Sequence, residues 1–92
     1  MPQEVQRKIH VTPWLRDEAT KMRSAGRGKY ADALLNITSL VPENAAIFQH
    51  QSSSVLYTIF KMTEVEYDSA EWWMAIAQAA ALLNSISVAT HF

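Results

Sequence analysis

The 92-residue chain has no cysteine, only two glycines and three prolines, and no long apolar run near its start. The lack of cysteine excludes disulfides, thiolate metal sites and cysteine nucleophiles, and it favours a reducing compartment. The lack of an apolar run of signal-peptide length argues against secretion. We therefore expect a cytoplasmic protein whose stability depends on a small hydrophobic core.

The first third of the chain has few acidic residues, and the remainder has few basic ones. Residues 1–30 carry seven Lys and Arg against three Asp and Glu, whereas residues 31–92 carry one against six. This asymmetry is typical either of a basic surface that binds an acidic partner or of two halves that attract each other, within a subunit or between subunits. We favour the second interpretation, because runs of charge usually form solvated faces.

No catalytic or ligand-binding motif stands out in the sequence. There is no Gly-x-Ser-x-Gly, no phosphate-cradling glycine loop and no paired histidine and carboxylate. The histidines His10, His50 and His91 are scattered, without a second metal ligand at helical spacing. We expect a non-enzymatic protein that uses no metal and no cofactor.

The first half of the chain predicts helices. A hydroxyl residue followed by proline, Thr12-Pro13, is typical of a helix start, and Gly26 and Gly28 are the expected end. A second helix is predicted from about Lys29, where apolar residues recur at helical spacing. Residues 42–51 begin with proline and predict a short third helix.

Residues 52–67 are compatible with two secondary structures. Valine, tyrosine and isoleucine alternate there, which suits a strand, and residues 54–61 would then pair with residues 7–12. The spacing of Leu56 and Ile59 suits a helix instead. We favour the helix, because the remaining chain is so helical that packed helices form a consistent whole.

The final segment, residues 68–92, contains no Asp, Glu, Lys or Arg after Glu71. Asp68 and Glu71 have the spacing of a capping box at the start of a helix. Adjacent residues on a helix point about 100° apart, so Trp72 and Trp73 must lie on different faces. We expect Trp72 in the core of the subunit and Trp73 at its flank or at an interface.

This helix has more apolar surface than a small domain can cover. Polar residues interrupt the apolar run and alanine adds little hydrophobicity, so a membrane helix is the weaker interpretation. An exposed apolar face usually marks an interface, and small residues let another helix approach closely. We therefore predict a homodimer or a foreign protein partner, bound by Trp73, Met74, Ala77 and Ala81. The alternative is a central core helix of a monomer.

The strongest polar candidate is the loop of residues 23–29, which contains Arg23, Arg27 and Lys29 together with two glycines. These cations could form an electrostatic rim around a protein interface. They could also bind a phosphate, because arginine matches its oxygens and glycine lets backbone N–H groups approach. A solubilising turn is the plainer interpretation.

Taken together, the sequence predicts a single helical domain over residues 1–92. Its fold class is mainly α, a bundle of four to five short helices, and a short strand pairing of residues 7–12 with 54–61 is the alternative for those two segments. The predicted function is a small non-enzymatic protein-binding module, of the size that phages and mobile elements use to inhibit host proteins. Binding of nucleic acid or nucleotide phosphate at the loop of residues 23–29 is the alternative.

Overall fold

The computed structural model describes residues 7–88, which contain four α-helices and one two-stranded sheet. In chain order the elements are β1 (Lys8–His10), α1 (Val11–Ser24), α2 (Gly28–Thr38), β2 (Ala46–Phe48), α3 (Ser52–Met62) and α4 (Ala70–Ile86), with a short 3-10 turn at Gln49–Gln51. The prediction of a mainly α fold with four to five short helices is confirmed. No helix within these residues combines the length and the apolarity needed to cross a membrane.

A tight turn at Gly26 joins α1 to α2 as a helical hairpin. Gly26 has a φ of 81°, in the left-handed region that glycine adopts without strain. The N–H of Arg27 donates to the carbonyl of Met22 at 2.8 Å, and the N–H of Gly26 donates to that of Arg23 at 3.1 Å. These two bonds form a Schellman motif, which satisfies the last carbonyls of a helix. The predicted end of the first helix is confirmed at Gly26, whereas Gly28 is the first residue of α2.

The sheet connects the start of the described chain to its end. β1 pairs antiparallel with β2, with Ile9 opposite Ile47. After the last turn of α4, the N–H of Val88 donates to the carbonyl of Ala46 at 2.7 Å. The segment that follows α4 therefore lies along the edge of β2 that faces away from β1.

Two predictions about secondary structure are wrong. The strand predicted in residues 7–12 exists as β1, but its partner is β2 rather than residues 54–61. Residues 54–61 lie within α3, which confirms the favoured helical interpretation. Residues 42–51 form β2 and the 3-10 turn instead of a helix. Both errors have the same cause. The backbone N–H and C=O groups of β1 need hydrogen-bond partners, and β2 supplies them.

Both predicted helix starts are displaced, that of α1 by two residues and that of α4 by one. α1 begins at Val11 rather than after Thr12, because the carbonyl of Ala45 accepts the Val11 N–H at 3.0 Å and no side-chain cap is needed. The N-cap of α4 is Ser69 rather than Asp68. Its hydroxyl accepts the backbone N–H of the residue three positions later at 3.1 Å. Asp68 cannot take this role, because its φ of 64° is not the extended conformation of an N-cap.

The core lies between the inner face of α4 and the other helices. α1 packs mainly on α2, and α4 packs on α2 and α3. The largest fully buried side chains are Val11, Leu15, Leu34, Ile37, Ile47, Ile59, Trp72, Ile76 and Leu83. Three of these, Trp72, Ile76 and Leu83, recur at helical spacing in α4 and form its core face, which confirms the predicted place of Trp72.

Candidate docking surface on α4

The outer face of α4 consists of the exposed residues Trp73, Met74, Ala77 and Ala81. Trp73 is 47% exposed and Met74 is 59% exposed, whereas Trp72 is only 1% exposed. The prediction that the two tryptophans divide between core and surface is confirmed. The apolar surplus of this helix is therefore open to solvent in the subunit.

On the outer face, a row of small residues lies between two large ones. At about 100° per residue, Ala70, Ala77 and Ala81 lie within about 40° of one another around the helix, and Trp73 and Met74 flank them. The two large side chains are in the N-terminal half of the helix. The C-terminal half of the face has only small residues, so another helix could approach its backbone closely.

Trp73 is held in one orientation although it is half-exposed. Its indole N–H donates to the carboxylate of Asp68 at 2.7 Å. Its ring also meets the ring of Trp72 edge to face, with centroids 4.8 Å apart. Asp68 has a φ of 64°, a left-handed conformation that aspartate tolerates better than most residues. The side chain most suited to contact a partner is thus already ordered, which lowers the entropy lost on binding.

The α3–α4 loop, residues 63–69, is hydrogen-bonded to α2 and, through Asp32, is linked to Arg23 of α1. The hydroxyl of Tyr67 donates to one carboxylate oxygen of Asp32 at 2.6 Å, and Arg23 donates to the other at 3.1 Å. The ammonium of Lys29 donates to the carbonyl of Val65 at 2.6 Å. These bonds fix the loop that carries the carboxylate contacting Trp73.

The Asp32–Tyr67 pair titrates away from neutral pH. The hydrogen bond from Tyr67, followed by that from Arg23, lowers the pKa of Asp32. The same hydrogen bond to Asp32, followed by the negative charge of that carboxylate, raises the pKa of Tyr67. A general acid or base works best with a pKa near the working pH, so these shifts favour a structural pair over a catalytic one.

The three predicted cations of the loop are exposed and contact different parts of the protein. Arg23 and Lys29 line a shallow cavity of about 260 Å³ together with Gly28, Asp32 and Tyr67. Arg27 instead lies over the ring of Phe60 on α3, 5.9 Å from its centroid. All three cations therefore contact groups of the protein itself, and the cavity also contains a carboxylate.

Contacts connect the basic loop to the outer face of α4. Arg23 bonds to Asp32, Asp32 to Tyr67, and the Tyr67 ring packs against that of Trp72 at 4.7 Å between centroids. Trp72 in turn contacts Trp73. Sequence reasoning missed Asp32, Tyr67 and the role of Asp68, and no spacing could have joined two residues 35 positions apart.

Neither a metal site among the described residues nor a similar protein indicates a function. Within residues 7–88 no three histidine or acidic side chains are placed to hold a metal ion, and His91 lies outside that range. No protein-family model matches the chain, and comparisons with curated proteins and with solved structures find no similar protein.

Proposed function

We propose that the protein is a small non-enzymatic protein-binding module whose docking surface is the outer face of α4. The observation that supports this most is the state of Trp73, which is 47% exposed and yet held by Asp68. Ordered aromatic side chains with a large apolar area are the residues most often found at the energetic centre of protein interfaces. The remainder of the face, Met74, Ala77 and Ala81, is apolar, so a partner can cover these three side chains without desolvating a polar side chain of the face.

The partner that we propose is a protein, either a second copy or a larger host protein. A module of this size that covers part of a larger protein blocks access to that part, which is how it would act as an inhibitor. The lack of cysteine fits a cytoplasmic setting for this binding. Lys29 then has a positioning role, because it bonds directly to the loop that orients Trp73, and Arg23 contributes indirectly through Asp32, which accepts a bond from Tyr67 of that loop.

The experiment compares three forms of the tagged chain as bait in an extract of its host: the natural sequence, Trp73→Ala and Tyr57→Ala. Tyr57 is a matched control, because it is an aromatic residue 64% exposed on a different helix, α3. We expect proteins that bind the natural chain and Tyr57→Ala but not Trp73→Ala, and their binding is then measured with purified components. If no protein, a second copy included, binds in a manner that depends on Trp73, the proposal is wrong.

The alternative, phosphate or nucleic-acid binding, is supported by the shared cavity of Arg23 and Lys29 at the start of α2. Against it, Asp32 lines the same cavity and bonds to Arg23. Gel shifts with single- and double-stranded DNA and RNA at low salt test this function, because counterion release makes such binding strongest there. A shift that disappears when Arg23, Arg27 and Lys29 are replaced by alanine would favour the alternative.

A further inference from the structure

Among residues 7–88, the edge of β1 that faces away from β2 has unpaired backbone groups. In an antiparallel pair, alternate residues bond to the partner strand and the others point away from it. The carbonyl of Arg7 accepts an N–H from the turn after β2 at 2.7 Å, and the N–H of Val11 donates to the carbonyl of Ala45 at 3.0 Å. The N–H and C=O of Lys8 and the N–H of His10 therefore lie on the opposite edge, the free edge of β1, where the described chain offers them no hydrogen-bond partner.

The free edge of β1 is exposed and basic. Arg7, Lys8 and His10 are all exposed. The segments that build the sheet and its neighbouring strand end, residues 7–11, 45–49 and 87–88, contain these two cations but no Asp or Glu. The ion pairs found within the described residues use other side chains, so neither Arg7 nor Lys8 has a carboxylate within 4.0 Å there. An occupant of this edge therefore meets two cations that are not neutralised.

The charge of the free edge selects among the strands that could pair with it. Lysine on an edge strand opposes pairing with a further strand of neutral or basic character. A second copy of β1 would add its own Arg7 and Lys8 to the same ladder, and like charges directly opposite each other are destabilising. An acidic strand is favoured instead, because opposite charges on adjacent strands stabilise their pairing.

We propose that the free edge of β1 binds an extended acidic peptide segment of a partner protein by strand addition. In this mode of recognition the backbone bonds provide affinity and the side chains provide specificity. Lys8 donates one bond and accepts one, and His10 donates a third. The site shares no residue with the outer face of α4, so it is a second binding site and does not depend on the proposed docking function.

The alternation of β1 also defines the pattern of the segment. Ile9 packs against the core, whereas Lys8 is exposed on the other face of the strand. Side chains of an added strand alternate between the same two faces. The segment therefore has acidic residues at every second position, on the face that carries Lys8, and uncharged residues between them.

The first test is an NMR titration of the isotope-labelled full chain with a blocked peptide of alternating glutamate and valine. We expect a dissociation constant of about 10 to 1000 μM, with the largest changes at the amides of Lys8 and His10. A peptide with glutamine in place of glutamate should bind at least about fivefold more weakly, because the opposite charges are lost. Added salt should weaken binding of the acidic peptide only.

The second test separates backbone pairing from attraction of charge alone. In a paired strand every second peptide N–H faces β1 and the others point away. Peptides methylated either on all glutamate amides or on all valine amides have the same charge, so each is the control for the other. One of the two should bind at least about tenfold more weakly, because its donors to the free edge are removed, while the other keeps them.

The third test uses variants of the protein. Lys8→Glu should weaken binding of the acidic peptide at least about tenfold, because an attraction becomes a repulsion. Lys21→Glu is the matched control, since it makes the same change in net charge at an exposed position of α1. Trp73→Ala should bind the peptide as the natural chain does.

Four results would overturn the inference. They are no binding at about 1 mM peptide, largest NMR changes outside β1, equal effects of the two methylations, and equal effects of Lys8→Glu and Lys21→Glu. Loss of the peptide in Trp73→Ala would also overturn it, because the peptide would then occupy the outer face of α4.

Discussion

Trp72 and Trp73 are neighbours in the chain, but they differ in burial and in how their indole N–H groups are satisfied. Trp72 is 1% exposed, and its buried Nε1 finds no hydrogen-bond partner among the described residues. Trp73 is 47% exposed and its Nε1 is bonded to Asp68. The buried ring is positioned by packing alone, whereas the exposed ring is positioned by a hydrogen bond.

The two faces of α4 therefore hold their tryptophans by different interactions. Burial of Trp72 removes a large apolar area from water, which outweighs the cost of about 1 to 3 kcal/mol for an unsatisfied N–H. Trp73 gains less from burial in the subunit and depends on Asp68, a residue in a left-handed conformation, for its orientation. An exposed ring that is held in this way is suited to contact another molecule.

The largest effect should come from Trp72→Ala. We expect the free energy of unfolding to fall by about 3 to 5 kcal/mol, as large-to-small changes in a core do, which is a large part of the stability of a domain this small. Urea or thermal unfolding measures the loss. Trp72→Phe is the matched control, because it keeps much of the ring volume while removing the unsatisfied N–H. A loss below about 1 kcal/mol for the alanine variant would contradict the core role.

Trp73→Ala should separate the two faces of the helix. We expect the free energy of unfolding of the subunit to fall by less than about 1 kcal/mol, as for an exposed site. Association should weaken by about 2 kcal/mol, because an anchor of the interface is lost. Unfolding and binding are measured on the same preparations. If the subunit is destabilised as much as by Trp72→Ala and association is unaffected, α4 is an ordinary core helix and its outer face has no binding role.

The division between these tryptophans was predictable from sequence, whereas the contacts that order Trp73 were not. The angle between adjacent helical residues alone requires Trp72 and Trp73 to diverge, and the apolar stripe identifies the buried one. The bond from Tyr67 to Asp32 depends on how α2 packs against the α3–α4 loop. Sequence periodicity describes one element at a time and has no information on such packing.

The difference between the predicted and the observed partner of β1 has a similar physical explanation. Residues 54–61 and β2 both have strand-favouring side chains, so intrinsic preference does not choose between them. Tertiary packing decides, because Ile47 is fully buried in β2 while Ile59 is fully buried on one face of α3. Helix existence and the core face of α4 could be predicted, but the pairing of short strands could not.

Substitutions of Asp68 should show whether association depends on the orientation of the Trp73 ring or only on its exposure. Asp68→Ala places a side chain with poor tolerance in the left-handed region and should cost about 1 to 2 kcal/mol of stability. Asp68→Gly should recover that stability, because glycine adopts this φ freely. Both variants remove the bond to the indole and should weaken association to a similar extent, which titration of the purified chains measures.

Asp68→Asn is the matched control for the preceding pair, because it removes the charge but keeps an oxygen acceptor and tolerance of the left-handed conformation. We expect its association to lie closer to that of the natural chain than to that of Asp68→Gly. Equal association for Asn and Gly variants would mean that charge, and not the hydrogen bond to Trp73, is what Asp68 contributes.

The smallest effect concerns pH, through the bond that ties Tyr67 to Asp32. The folded pKa of Asp32 is lowered, mainly by this bond, so the ionised carboxylate stabilises the fold above its unfolded pKa of about 4, and this contribution is lost as pH falls through the folded value. Tyr67→Phe removes the main cause, so the pKa of Asp32 should rise and the melting temperature should depend less on acid. Melting temperatures from neutral pH to about pH 2 and NMR titration of the Asp32 carboxyl measure both effects, with Tyr57→Phe as an exposed control on α3. An unchanged Asp32 pKa in Tyr67→Phe would show that Arg23 alone holds this carboxylate in its ionised form, and that the bond from Tyr67 contributes nothing to the acid dependence of stability.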